Sequence, residues 1–100
     1  MVRAKVKAKR IFCVVAYDIE NDKNRTRVSK ILAKYGVRVN YSVFECMFTE
    51  SQFLKAEAGI MKLLNEKKDR VIFYPICVDC YTRIIYRPKM EKESNLIQII

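Results

Sequence analysis

Apolar and polar positions along the chain fall into blocks with different periods, and the periods name the elements. Residues 11–19, IFCVVAYDI, are apolar on both alternating sets, the pattern of a strand covered on both faces. From Asn21 the period lengthens: Val28, Ile31, Leu32 and Tyr35 recur at helical spacing, with Lys23, Arg27, Lys30 and Lys34 on the opposite face. Asn21 or Asp22 suits the N-cap, and Gly36 suits the C′ stop. Residues 37–48, VRVNYSVFECMF, carry the β-branched and aromatic content of a bent strand pair, with the break expected near Phe44 to Cys46.

Thr49 and Gln52 have capping-box spacing, in which hydroxyl and amide each satisfy an orphan donor of the first turn. Phe53, Ala56, Ile60, Leu63 and Leu64 then form the apolar stripe of a second helix. Residues 70–78, RVIFYPICV, read as a strand, and Pro75 places it at an edge or a bulge. Arg83 to Lys92 show no clear period, and residues 94–100 end in NLIQII, which reads as a short final strand.

The order β, α, β, β, α, β with a tail strand is the ferredoxin-like plan, an α+β sandwich with two helices on one face of an antiparallel sheet. Such a sheet leaves its second face bare. Because 11–19 and 70–78 are apolar on both faces, that second face is expected to be buried against a second copy, most simply as a twofold homodimer. Residues 1–100 make one domain: there is no linker, repeat or low-complexity run, and this length supplies a small core with little surplus burial. Residues 1–10 alternate basic and apolar positions, as either an extended arm on phosphate or a frayed terminus.

Charge changes the picture. Twenty Lys+Arg against eleven Asp+Glu give a net +9 and a pI near 9.6, which points to a polyanionic partner, nucleic acid foremost. No apolar run reaches membrane-spanning length and the basic start lacks a signal-peptide core, so a cytoplasmic location without membrane association is expected. Cys77 and Cys80 form a lone CxxC, and with no histidine in the chain a common structural zinc set is incomplete; the four cysteines are expected to be reduced and incidental. The same lack of histidine excludes a histidine acid/base ribonuclease, so hydrolysis would rest on carboxylate and metal.

Asp18 is the candidate acid. It ends the most apolar strand, and on a twofold dimer it would meet its own copy, where two carboxylates repel unless a proton or cation intervenes. Mg²⁺, or Mn²⁺, fits one or two carboxylates with waters and a phosphate. The competing reading makes Asp18 an anchor for the following turn, accepting backbone N–H groups near the helix start. Arg25 and Arg27 put positive charge in a first helical turn, a placement that opposes the helix dipole and suits an anionic ligand. Arg38 suits either phosphate or a cross-hairpin pair with Glu45.

Tyr17-Asp18, Arg25-x-Arg27-Val28, Tyr35-Gly36 and the run Arg38-Val39-Asn40-Tyr41-Ser42-Val43-Phe44-Glu45, in this order and spacing over residues 11–78, resemble the CRISPR-associated protein two family. Asn40 and Cys46 depart from the glutamine and glycine frequent there. The resemblance implies a ferredoxin-like homodimer, partner of the CRISPR integrase in spacer acquisition, with metal-dependent endonuclease activity on RNA or DNA. It implies Asp18 as metal-binding and catalytic acid, with Tyr17, Arg25, Arg27, Arg38, Ser42 and Phe44 supporting the cleft or the nucleic-acid path, and the tail pairing with a partner subunit or docking the integrase. Two alternatives share this frame: a non-catalytic scaffold that holds duplex DNA for the integrase, and a toxin-like endoribonuclease of the same fold. An RNA-recognition module of similar plan is disfavoured, because the glycine-flanked aromatic strand signature is missing.

Overall fold

The computed structural model describes residues 9–88; the tail strand expected at 94–100 and most of the basic arm lie outside them. The elements run β1 (Arg10–Asp18), α1 (Asp22–Ala33), β2 (Gly36–Asn40), β3 (Val43–Thr49), α2 (Glu50–Met61), β4 (Arg70–Ile76) and a short α3 (Val78–Thr82). The strands form one antiparallel sheet in the order β2-β3-β1-β4, the ferredoxin-like arrangement, with α1 and α2 packed on one face.

Local chemistry starts α1 and α2 where the pattern places them. The Asn21 side chain accepts the Asn24 N–H at 2.9 Å, satisfying one orphan donor of α1. The capping box opens α2: Gln52 N–H donates to Thr49 Oγ1 at 3.2 Å, and the Thr49 N–H donates to Gln52 Oε1 at 2.8 Å. Alternation along β1 then divides the protein. Cys13, Val15 and Tyr17 enter the core between sheet and helices, joined by Phe44, Cys46 and Phe48 of β3, Val28 and Leu32 of α1, and Ala56 and Ile60 of α2. Leu63 and Leu64 pack on that core from just past the end of α2.

Four expectations need correction. The strand pair breaks at Tyr41–Ser42, not near Phe44–Cys46. No glycine or proline marks this turn; Asn40 supplies it by accepting the Tyr41 N–H through its own side chain at 2.8 Å. Gly36 is not a left-handed stop, for no glycine among the described residues has positive φ. It opens β2 where a Cβ would lie 2.0 Å from the Glu45 carbonyl oxygen, so close strand approach, not φ, demands glycine.

The strand expected over 70–78 ends at Ile76, because Cys77 caps α3. Pro75 does sit on an edge strand. Finally, the second sheet face is partly covered by the chain itself. Tyr81 of α3 packs on Phe12 at a centroid distance of 4.5 Å, and Phe12, Met47 and Tyr81 form a second small core. The Tyr86 hydroxyl donates to Glu45 at 2.8 Å on the same side. Ile72 and Tyr74 of β4 remain 37% and 49% exposed.

Candidate nucleic-acid interface

A cleft of about 340 Å³ opens where β1 ends, between the first turns of α1 and the β2–β3 turn, lined by Tyr17, Asp18, Arg25, Arg38, Tyr41 and Ser42, with Ile19, Thr26 and Ser29 behind them. Chain segments far apart in sequence meet here because the sheet places β1 next to β3 and brings the β2–β3 turn beside the β1 terminus. The Tyr17 N–H donates to the Ser42 carbonyl at 3.0 Å, and the Tyr17 hydroxyl reaches the Tyr41 carbonyl at 3.4 Å. These two bonds fix the turn against the strand end.

The two arginines of the cleft are held differently. Arg25 donates to the Ile19 carbonyl at 3.0 Å and pairs with the exposed Asp22 carboxylate, one helical turn away. The guanidinium therefore sits over the β1–α1 junction, leaving its remaining donors for a ligand. Arg38 lies over the Phe44 ring, its guanidinium carbon 5.5 Å from the ring centroid, with Phe44 stacked on Tyr17 at 6.3 Å. A bulge in β2 at Val39, where the register shifts between Arg38 and Asn40, accompanies this placement. Burial pushes the Tyr17 phenol above its ordinary pKa, while the charges of Arg38 and Arg25 pull it down, so both cations act on the same hydroxyl.

Asp18 is exposed, and among the described residues its carboxylate has no hydrogen bond and no ion pair. Other groups do the anchoring that Asp18 could have done: Asn21 caps α1, and the Asp69 carboxylate accepts the Glu20 N–H at 3.0 Å and the Asn65 N–H at 2.9 Å, bonds that lower its pKa. By alternation Asp18 belongs to the face of Phe12, Val14 and Ala16, yet it also borders the cleft, so it stands at the edge between the helix-covered and second faces.

Tyr17, Asp18, Arg25, Arg38 and Ser42 thus line one cleft, and Phe44 lies in the core beneath them. Arg27 is exposed on α1 and is not part of the cleft lining. Arg38 faces Phe44, while Glu45 opposes Val37 and takes the Tyr86 hydroxyl, so the Arg38–Glu45 pairing does not form. Tyr41 is the residue that sequence reasoning passed over. It is 89% exposed at the cleft rim, and its signal in the sequence was its place within the run from Arg38 to Glu45.

The fold and cleft define a small ferredoxin-like domain with one free carboxylate beside two fixed guanidiniums, an arrangement suited to a phosphodiester. Residues 11–84 match the family described as CRISPR associated protein Cas2, and the chain belongs to that family. It is 37% identical over 71 residues to a Synechocystis protein named CRISPR-associated endoribonuclease Cas2 3, spanning 71% of this chain and 77% of that protein. Among solved structures it resembles Streptococcus pyogenes Cas2, with a TM-score of 0.67 and 29% identity over 73% of this chain and 94% of that one. It also resembles a chain of a partial Cas6-RT-Cas1–Cas2 complex, with a TM-score of 0.63 and 28% identity over 74% of this chain and 81% of that chain.

Proposed function

We propose that this protein is a CRISPR adaptation subunit that grips a nucleic-acid phosphate between Arg25 and Arg38 and cleaves RNA or DNA at a phosphodiester presented to Asp18. The observation that carries this reading is the unpartnered Asp18 carboxylate at the edge of a cleft whose two cations are already oriented. Preorganised guanidiniums stabilise charge developing on phosphate at little reorganisation cost. Ser42 donates a hydrogen bond to the same group; without a histidine base it is a poor nucleophile. Tyr41 offers an exposed ring on which an unpaired base can stack beside the bound phosphate.

Among the described residues no group of three or more His, Cys, Asp or Glu side chains stands together as a metal site. Asp18 therefore supplies a single carboxylate per chain, which fits Mg²⁺ or Mn²⁺ only with waters, phosphate oxygens and the same residue of a second copy completing the shell. When bound, such an ion lowers the pKa of a water and neutralises phosphoryl charge. A homodimer joined through the exposed strip of Ile72 and Tyr74 would bring the two acids toward one another. The relative found in a Cas1–Cas2 complex supports an integrase partner.

The second reading is a scaffold that binds duplex DNA without cutting it, favoured by the net +9 charge and by the single carboxylate. One experiment separates the two: the protein and Asp18→Ala are incubated with labelled single-stranded RNA and duplex DNA, in Mg²⁺ or in EDTA, and cleavage and retention are read together. Cleavage that needs both Mg²⁺ and Asp18, with binding retained in the variant, supports the nuclease. Binding of duplex DNA by both forms, with no cleavage or equal cleavage, supports the scaffold. Among the described residues no helix is long and apolar enough to cross a membrane.

A further inference from the structure

The cleft does not use the Cys77-Val-Asp-Cys80 segment, and the four cysteines separate sharply by surroundings. Cys13 and Cys46 are sealed in the core, where burial pushes their thiols up to about 11 and about 12, so they stay protonated and inert. Cys77 and Cys80 are both free and exposed. Cys77 is the N-cap of α3, and its Sγ accepts the Cys80 N–H at 3.4 Å. With the Cys77 sulfur on the backbone of Cys80 across one turn and both side chains reachable from solvent, the two thiols lie within the span that a disulfide bridges.

We propose that Cys77 and Cys80 are a dithiol–disulfide couple, a modification site on the second sheet face that exchanges two electrons with disulfide compounds. The backbone N–H of Cys80 holds the Cys77 thiol below its ordinary pKa and the neighbouring sulfur pushes Cys80 up, so Cys77 is the attacking member. Its thiolate attacks one sulfur of an external disulfide, forming a mixed disulfide and releasing one thiolate. Cys80 then loses its proton and attacks the Cys77 sulfur; the second external thiolate leaves, the couple is oxidised by two electrons and the reagent reduced to two thiols.

The bridge would close the first turn of α3 on itself, next to Tyr81, the side chain that covers Phe12 and Met47.

The test incubates the full chain with excess glutathione disulfide, quenches it in acid, alkylates the remaining thiols and maps the peptides by mass. The expected result is Cys77 linked to Cys80 within one chain, with two hydrogens lost, reversed by dithiothreitol, and with slower amide exchange in α3. In Cys80→Ser, which lacks the resolving thiol, glutathione should instead accumulate on Cys77. Wild-type protein with glutathione on single cysteines, with both thiols still alkylatable, or with the two residues linked between chains would overturn the proposal.

Discussion

The two faces of β1 receive adjacent residues of one strand and treat them oppositely. On the helix side Cys13, Val15, Tyr17 and Ile19 are all buried in one continuous core. On the other side burial fades along the strand, from Phe12 sealed under Tyr81, through half-buried Val14 and Ala16, to exposed Asp18. Burial is concentrated on the first face, and the second stays open over much of its length. A free carboxylate is tolerated at the strand end because the stabilising burial is on the other side of the sheet.

The contrast breaks first at the core. Phe48→Ala removes a fully buried ring packed on Tyr35 and Phe53 and should cost about 3–5 kcal/mol in chemical denaturation. Tyr81→Ala, in the smaller second core, should cost less, and an equal loss would show that both faces share the load. Gly36→Ala should cost about 1–3 kcal/mol, since the new methyl meets the Glu45 carbonyl and the backbone must yield. A neutral result would mean that β2 can move away from β3 without penalty.

Smaller effects sharpen the cleft side. Arg25→Ala and Arg38→Ala should each weaken binding to all sequences alike and reduce the salt slope of binding by roughly 1, whereas Arg27→Ala, outside the cleft lining, should change it less. A shift in sequence preference would mean that these side chains read bases instead of holding phosphate. Smallest is the response to alkali. Burial raises the Cys13 and Cys46 thiols from the ordinary 9.0 to about 11 and about 12, so between those values the native state binds more protons than the unfolded chain. Stability should therefore be intact below pH 9.0 and decline as pH rises through about 11, as followed by urea unfolding at stepped pH. Cys46→Ala, whatever its cost at neutral pH, should flatten that decline.

How much of this was legible beforehand depends on the range of the interactions involved. Asn21 and the Thr49–Gln52 box were readable because a cap is satisfied within four residues. The β2–β3 break was misplaced because its turn uses an asparagine side chain inside an apolar run, without the glycine or proline that usually marks a turn. The start of α3 was missed because its cap is a cysteine, a residue that propensity does not associate with capping.

The sequence by itself determined the order of the four strands and two long helices, the apolar content of β1, the basic charge and the candidates Asp18, Arg25 and Arg38, all encoded in periods and types along one chain. Only the tertiary structure decided that Arg38 lies over Phe44, that Arg27 stays outside the cleft, that Tyr41 borders it and that α3 folds back over Phe12. Those facts depend on strand register, on one bulge and on contacts between residues dozens of positions apart, and pairwise geometry of that range is settled when the whole core closes.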